Sequence, residues 1–224
     1  MSDYNMKSLV GAVLGFLFPK RAVCLGCGSM AGFPQDWLCQ DCRQALAMSW
    51  VGADLPPRGL DGAACAYVYR GPAAKLVQAL KYGGVSRLAP FMAGDMAKAY
   101  HAIEPTGADC VAWVPMHPKR RRKRGYNHAE LLAREVAARL ELEPVDALRA
   151  VRAVRQQARL DSAQRMENLR GVIEAHADLT GRRVLLIDDV RTTGATAHAC
   201  ADALRRAGAE RVYLLCYCVA KGEK

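Results

Sequence analysis

Val184 to Thr196 reads VLLIDDVRTTGAT, and that order leaves few folds open. Unbroken apolar residues make a strand buried on both faces, the pattern of a parallel sheet. Two carboxylates, Asp188 and Asp189, follow at the strand's C-terminal end, and a short loop of Thr192, Thr193, Gly194, Ala195 and Thr196 then opens a helix. Ligands of open α/β sheets bind at that edge. Loop amides, hydroxyls and a helix N-terminus together make a cradle for phosphate. Acids beside such a cradle would repel a bare phosphate, so they suit sugar hydroxyls or a divalent metal. The combination fits a ribose that carries a phosphate. The G-x-G-x-x-G of dinucleotide folds and the Lys-Ser/Thr of a Walker A loop are both absent.

The surrounding pattern agrees with a parallel sheet covered on both faces. Strands are expected at Ala64–Tyr69, Asp109–Val114, Arg183–Ile187 and Arg211–Val219. Helices are expected at Pro72–Lys81, Arg87–Ala102, Asn127–Leu140, Ser162–Leu169 and Ala195–Ala207. Pro72 suits a first helical turn, and Asn127 suits an N-cap ahead of the stripe Leu131, Leu132, Val136 and Leu140. The Pro/Gly-rich stretch DLPPRGLDG, Asp54–Gly62, reads as a linker, which divides the chain into residues 1–55 and residues 63–224.

The first segment carries Cys24-x2-Cys27 and, after eleven residues, Cys39-x2-Cys42. Each turn aims two thiolates at one point, and two turns complete a tetrahedral sulfur site suited to Zn2+. Gly26 and Gly28 give the backbone freedom such a knuckle needs. Four thiolates leave no open coordination position, so the zinc is expected to be structural. The other five cysteines read as small buried hydrophobes.

Lys and Arg total 32 against 22 Asp and Glu, a formal charge of +10, which favours an anionic partner. Between Pro115 and Arg165 there are 13 basic residues and 6 acidic ones, with a peak at KRRRKR, Lys119–Arg124. A run of this kind is either a solvated loop or a contact surface. The longest apolar run, Leu9–Phe18, is half of what a bilayer span needs and lacks the features of a signal peptide. It is expected to be a short packed helix, in a protein without a membrane span that stays in the cytoplasm, where its thiols remain reduced.

The Val184–Thr196 stretch resembles the phosphoribosyl-pyrophosphate (PRPP) motif of type I phosphoribosyltransferases. The resemblance implies that Asp188 and Asp189 hold the ribose hydroxyls and that Thr192, Thr193, Gly194, Ala195 and Thr196 hold the 5′-phosphate. FPKRAVCLGCG with the second Cys pair, YRGPAAKLVQALKYGG, WVPMHPKRRRKRGYNHAELLA and RLDSAQRMENLRGVI then follow in the order of the ComF family (competence protein F and GntX-like proteins). That family joins a small zinc ribbon to a type I phosphoribosyltransferase domain built on a parallel sheet. It usually reads R-G-F-N-Q where this chain has Arg124-Gly125-Tyr126-Asn127-His128. The resemblance further implies that His117, Lys119, Arg120 and Arg124 meet the diphosphate and that Arg159–Asn168 closes over substrate.

The implied chemistry is Mg2+-dependent attack by an unknown acceptor at ribose C1, with diphosphate leaving and Asp189 as the candidate base. The family name implies a role in DNA uptake during natural transformation, alongside other DNA-uptake proteins. The alternative is a non-catalytic module that senses PRPP or a nucleotide and binds single-stranded DNA through Arg121, Arg122 and Lys123. A known salvage enzyme of purines or pyrimidines is a weaker third reading, because the zinc ribbon is foreign to those families.

Overall fold

The structure is a computed structural model that describes residues 23–30, 37–103, 107–151 and 171–220. In chain order its elements are α1 (Gln40–Ala47), β1 (Trp50–Asp54), β2 (Gly62–Val68), α2 (Gly71–Tyr82), a 3-10 turn (Ser86–Leu88), α3 (Ala89–Tyr100), β3 (Cys110–Trp113), α4 (Pro118–Arg124), α5 (His128–Leu140), β4 (Glu143–Pro144), β5 (Leu148–Ala150), β6 (Ile173–Ala175), β7 (Arg183–Arg191), α6 (Ala195–Arg206) and β8 (Arg211–Val219). Six strands form one sheet in the order β1-β2-β8-β7-β3-β4, and β5 pairs with β6 in a separate ribbon. All neighbours in the large sheet run parallel except β1, which lies antiparallel on the edge.

The apolar run that announces the central strand is fully buried from Val184 to Ile187, so β7 has packing on both faces. One face carries α2, α3 and α5, and the other carries α6 and the β5–β6 ribbon. The helices dock because their buried residues fall on one stripe. In α2 these are Ala73, Leu76, Val77 and Leu80, with Pro72 in the first turn. In α5 the cap is the one the sequence suggests: the Asn127 side chain accepts from the Ala129 amide at 3.1 Å. The same side chain donates to the Val114 carbonyl at 3.1 Å, which ties the start of α5 to the end of β3. Among the described residues no helix is long and apolar enough to cross a membrane. The expected apolar helix Leu9–Phe18, the expected helix Ser162–Leu169 and the expected closing loop Arg159–Asn168 lie outside the described residues.

Three expectations change. The acid pair does not follow the central strand but lies inside it, because β7 continues to Arg191 and stays registered with β8 at Asp188↔Cys216 and Arg191↔Val219. The basic run is not a loop; it winds into α4, closed by Gly125 at φ 87°. The helix expected from Arg87 begins at Ala89, after the 3-10 turn and with Pro90 in its first turn.

The stretch Asp54–Gly62 connects two strands that are hydrogen-bonded neighbours, with Asp54 registered opposite Ala63. The expected boundary therefore falls between paired strands of one sheet. Leu38, Cys42 and Leu46, from the cysteine-bearing segment, belong to the same buried cluster as Leu76, Met92 and Leu132. Trp50 on β1 stacks edge-on against Tyr67, and Tyr67 against Tyr217, at 5.5 and 5.3 Å between ring centres.

Candidate functional site

The two Cys-x2-Cys turns meet. Cys24 and Cys27 sit on a knuckle closed by the Val23–Met30 bridge, Cys39 caps α1, and Cys42 lies in the first turn of that helix. All four sulfurs lie within 4.8 Å of one another, and Cys27 and Cys39 are 3.7 Å apart. A zinc ion with bonds of about 2.3 Å in tetrahedral geometry sets sulfurs about 3.8 Å apart, so the donor set fits. Gly26 is required by space, since a Cβ there would stand 2.6 Å from the Cys42 sulfur. Burial would raise the Cys24 thiol, but hydrogen bonds from the backbones of Cys39, Cys27 and Gly26 outweigh it and hold the group at about 6. Cys42, desolvated and facing three sulfurs, is pushed up. The remaining five cysteines are buried, as expected of small hydrophobes.

At the C-terminal edge of the sheet the two acids part company. Adjacent residues of a strand point to opposite faces. Asp189 is 2% exposed and turns toward α2 and α5. Its Oδ2 lies 2.7 Å from the Lys81 ammonium and 3.2 Å from Nε2 of His128. Asp188 is half-buried and turns the other way, where its charge adds to the burial that raises the Cys200 and Cys216 thiols. One Asp188 oxygen accepts the Asp189 amide at 2.8 Å. Burial, followed by the like charge of Asp189, pushes the Asp188 carboxyl well up, against the pull of Lys81.

Nothing in the sequence around Lys81 and His128 marks either as a site residue. Burial alone would lower the Lys81 ammonium, but Asp189, its hydrogen bond and Asp188 reverse that and raise it. Burial drives His128 down to about 4, with Lys81 and Arg124 adding to the drop and Asp189 opposing it. The ring is therefore neutral at pH 7. Nδ1 lies 2.9 Å from Arg124, and a guanidinium only donates, so Nδ1 accepts and Nε2, which lies 3.2 Å from Asp189 Oδ2, carries the hydrogen. Tyr126 completes the clasp by donating to the Leu80 carbonyl at 2.5 Å. Thus Arg124–His128 folds over the end of α2 and closes on Asp189. Alternation along β7 was the available signal that only one of two neighbouring acids can face the open side.

The loop after β7 is open. Thr192 and Thr193 are exposed, and Gly194 caps α6 without a side-chain hydrogen bond, so the first-turn amides of α6 beyond Ala195 are left for other acceptors. The Thr193 hydroxyl takes the Ala195 amide at 3.4 Å; Ala195 is buried and Thr196 is half-buried. Gly194 has φ 80°, and a Cβ there would stand 2.7 Å from Pro57, so the Asp54–Gly62 stretch lies directly against this loop. Arg191 pairs with Asp54 and fastens the end of β1 beside the same edge.

The basic helix divides by contact. His117 caps it, accepting the Lys119 amide at 3.3 Å. Arg121 pairs with Glu130 at 3.2 Å, and Arg124 is engaged by His128. Lys119, Arg120, Arg122 and Lys123 are exposed, and none forms an ion pair among the described residues.

A mostly parallel sheet, carboxylates within the C-terminal half of its central strand and a loop-to-helix turn after it define a domain of the phosphoribosyltransferase type, and residues 126–224 match the family of phosphoribosyl transferase domains. DNA utilization protein YhgH of Escherichia coli (strain K12) is 30% identical over 155 residues, 67% of this chain and 68% of the relative. Competence protein F of Haemophilus influenzae is 30% identical over 120 residues, 52% of each chain. The chain belongs to the ComF family. Adenine phosphoribosyltransferase of Streptomyces coelicolor is 53% identical over a shorter stretch of 55 residues, 24% of this chain and 30% of the relative.

Proposed function

We propose that the protein binds PRPP with Mg2+ at the C-terminal edge of β7 and transfers its phosphoribosyl group to an acceptor. The observation that carries this reading is the pairing of one half-buried strand-edge carboxylate, Asp188, with the exposed Thr192–Thr193 turn that opens α6. In this reading the loop amides and hydroxyls hold the 5′-phosphate and Asp188 accepts from ribose hydroxyls. Asp189, kept in place by His128, fixes the Lys81 ammonium beside the sugar. Lys119 and Arg120 stand at the diphosphate side. Mg2+ takes oxygen ligands and keeps several waters, so it suits an ion carried by the diphosphate and supplies charge neutralisation to the leaving group.

The acceptor's lone pair forms the new bond to C1 as the C1–O bond to diphosphate breaks, and the acceptor's proton passes to solvent. Cations around the leaving oxygens act on charge that grows in the transition state. Asp189 was the candidate base, and its Oδ2 is already engaged by Lys81 and His128, so the reading gives it a positioning role instead. The relatives named for competence and DNA utilisation support a role in DNA uptake with other uptake proteins, in the cytoplasm where the knuckle's thiols stay reduced. Zinc in the four-cysteine knuckle is structural in this account.

A second reading is favoured by the exposed cations Lys119, Arg120, Arg122 and Lys123: a non-catalytic PRPP sensor that holds single-stranded DNA on α4. Diphosphate release from PRPP, measured with bases, amines and oligonucleotides as acceptors, separates the two. Release with one acceptor class supports transfer; tight PRPP binding with no release from any acceptor supports the sensor.

A further inference from the structure

Tyr82 ends α2, one residue after the lysine that meets Asp189, and the residue is 75% exposed. The Arg124 guanidinium lies over one face of that ring, 4.9 Å from its centre. The guanidinium is not free to wander, because His128 Nδ1 holds it at 2.9 Å and His128 in turn meets Asp189. A connected row therefore runs from the buried acid, through a neutral imidazole and a fixed guanidinium, to an aromatic ring at the surface. Gly83 and Gly84 follow Tyr82 and bring no side chain over it. On the other side of Arg124, the helix it ends exposes Lys119, Arg120, Arg122 and Lys123.

An aromatic ring backed by a guanidinium stacks well on flat heterocycles, whatever their hydrogen-bonding edge, and nearby cations suit the phosphates that flank such a ring in a strand. Tyr126 makes a useful contrast. It is half-buried and its hydroxyl is spent on the Leu80 carbonyl, as a tyrosine with a packing role behaves. We propose that Tyr82, backed by Arg124, is a stacking platform for a nucleobase beside the ribose site. The inference deepens the function proposed above and rests on it for the neighbouring site. A nucleobase reaches such a platform either as a free acceptor or as an unpaired base of a single strand, and the same ring chemistry serves both.

The test uses the 224-residue chain in three forms: wild type, Tyr82→Leu, which keeps apolar bulk without a ring, and Tyr82→Phe, which keeps the ring. The probes are a thymidylate 12-mer, an abasic 12-mer with the same phosphates, and free adenine and uracil. A strand-binding platform gives wild type about tenfold tighter binding of the thymidylate than of the abasic strand. Tyr82→Leu should then shrink that ratio to about twofold or less, and Tyr82→Phe should restore it. An acceptor platform gives no strand preference but binding of a free base that Tyr82→Leu weakens and Tyr82→Phe restores. A base preference untouched by Tyr82→Leu, or no base preference in either arm, overturns the proposal. PRPP titrated separately into wild type tests the ribose site: failure there sinks that site while the base comparison still reads the platform.

Discussion

The cysteine knuckle and the Asp189 cluster are the two places where this chain gathers polar donors, and they gather them in opposite ways. The knuckle takes all four sulfurs from one short segment, Cys24 to Cys42, by two repeats of the same spacing. The Asp189 cluster takes Lys81 from α2, His128 and Arg124 from the α4–α5 turn, and the acid from β7, over a hundred positions from the lysine. The knuckle's four facing sulfurs could hold a metal ion. The acid cluster is closed by its own residues: Lys81 meets Asp189 directly, and a neutral ring stands between Asp189 and Arg124. A site of the first kind would fail without an ion; a site of the second kind would fail on the loss of a member.

The largest effect expected is at the knuckle. Cys24→Ser or Cys39→Ser should take zinc from about one per chain to none by metal analysis. Because Leu38, Cys42 and Leu46 share the sheet's core cluster, the loss should cost about 4 kcal/mol or more in denaturant unfolding. Protein purified reduced and found without zinc removes this half of the contrast.

Next comes Asp189→Asn, which strands the Lys81 ammonium in a buried setting and should cost about 3–5 kcal/mol. Adding Lys81→Met should recover part of it, a coupling that a double-mutant cycle reads directly. Strict additivity of the two changes would mean that the cluster is not closed on itself.

The third effect is on pH. His128 is held at about 4 in the fold against an ordinary 6.5, so the unfolded chain takes up the proton first as pH falls. Stability from this group is complete above about pH 6.5, declines through the window down to about 4, and totals about 3 kcal/mol. His128→Gln cannot titrate, so unfolding free energies at pH 7 and 4.5 should differ by less in that variant than in wild type. Equal pH dependence in both would place the ring outside the cluster.

The smallest effect concerns α4. If four phosphates of a single strand are contacted, log affinity should fall with log salt at a slope near about −3, and Arg122→Ala/Lys123→Ala should flatten it by about 1.4. Arg121→Ala should do less, because Arg121 already pairs with Glu130.

Much of the fold is written locally. The apolar run before Asp188, the Pro72 and Asn127 helix starts and the Thr-rich turn each fix an element through neighbours in the chain, and each lies where the sequence puts it. The edge strand β1 is not legible, because Trp50-Val51-Gly52-Ala53-Asp54 is half-exposed, lacks strict alternation and carries a glycine. Nor is the end of β7, where polar residues at a sheet edge read like a loop. Lys81 and His128 were invisible for a different reason: each closes an otherwise ordinary segment, and only the stacking of α2 and α5 on one face of β7 brings them to the same oxygen.

The central claim is that PRPP enters through Asp188 while Asp189 serves the framework. Calorimetric titration of PRPP with Mg2+ into wild type and Asp188→Asn, with a melting curve for each, tests it most directly. The account predicts measurable binding by wild type, at least about tenfold weaker binding by Asp188→Asn, and melting behaviour within about 1 kcal/mol of wild type. Equal affinity in the two proteins, or no PRPP binding by wild type, would contradict it.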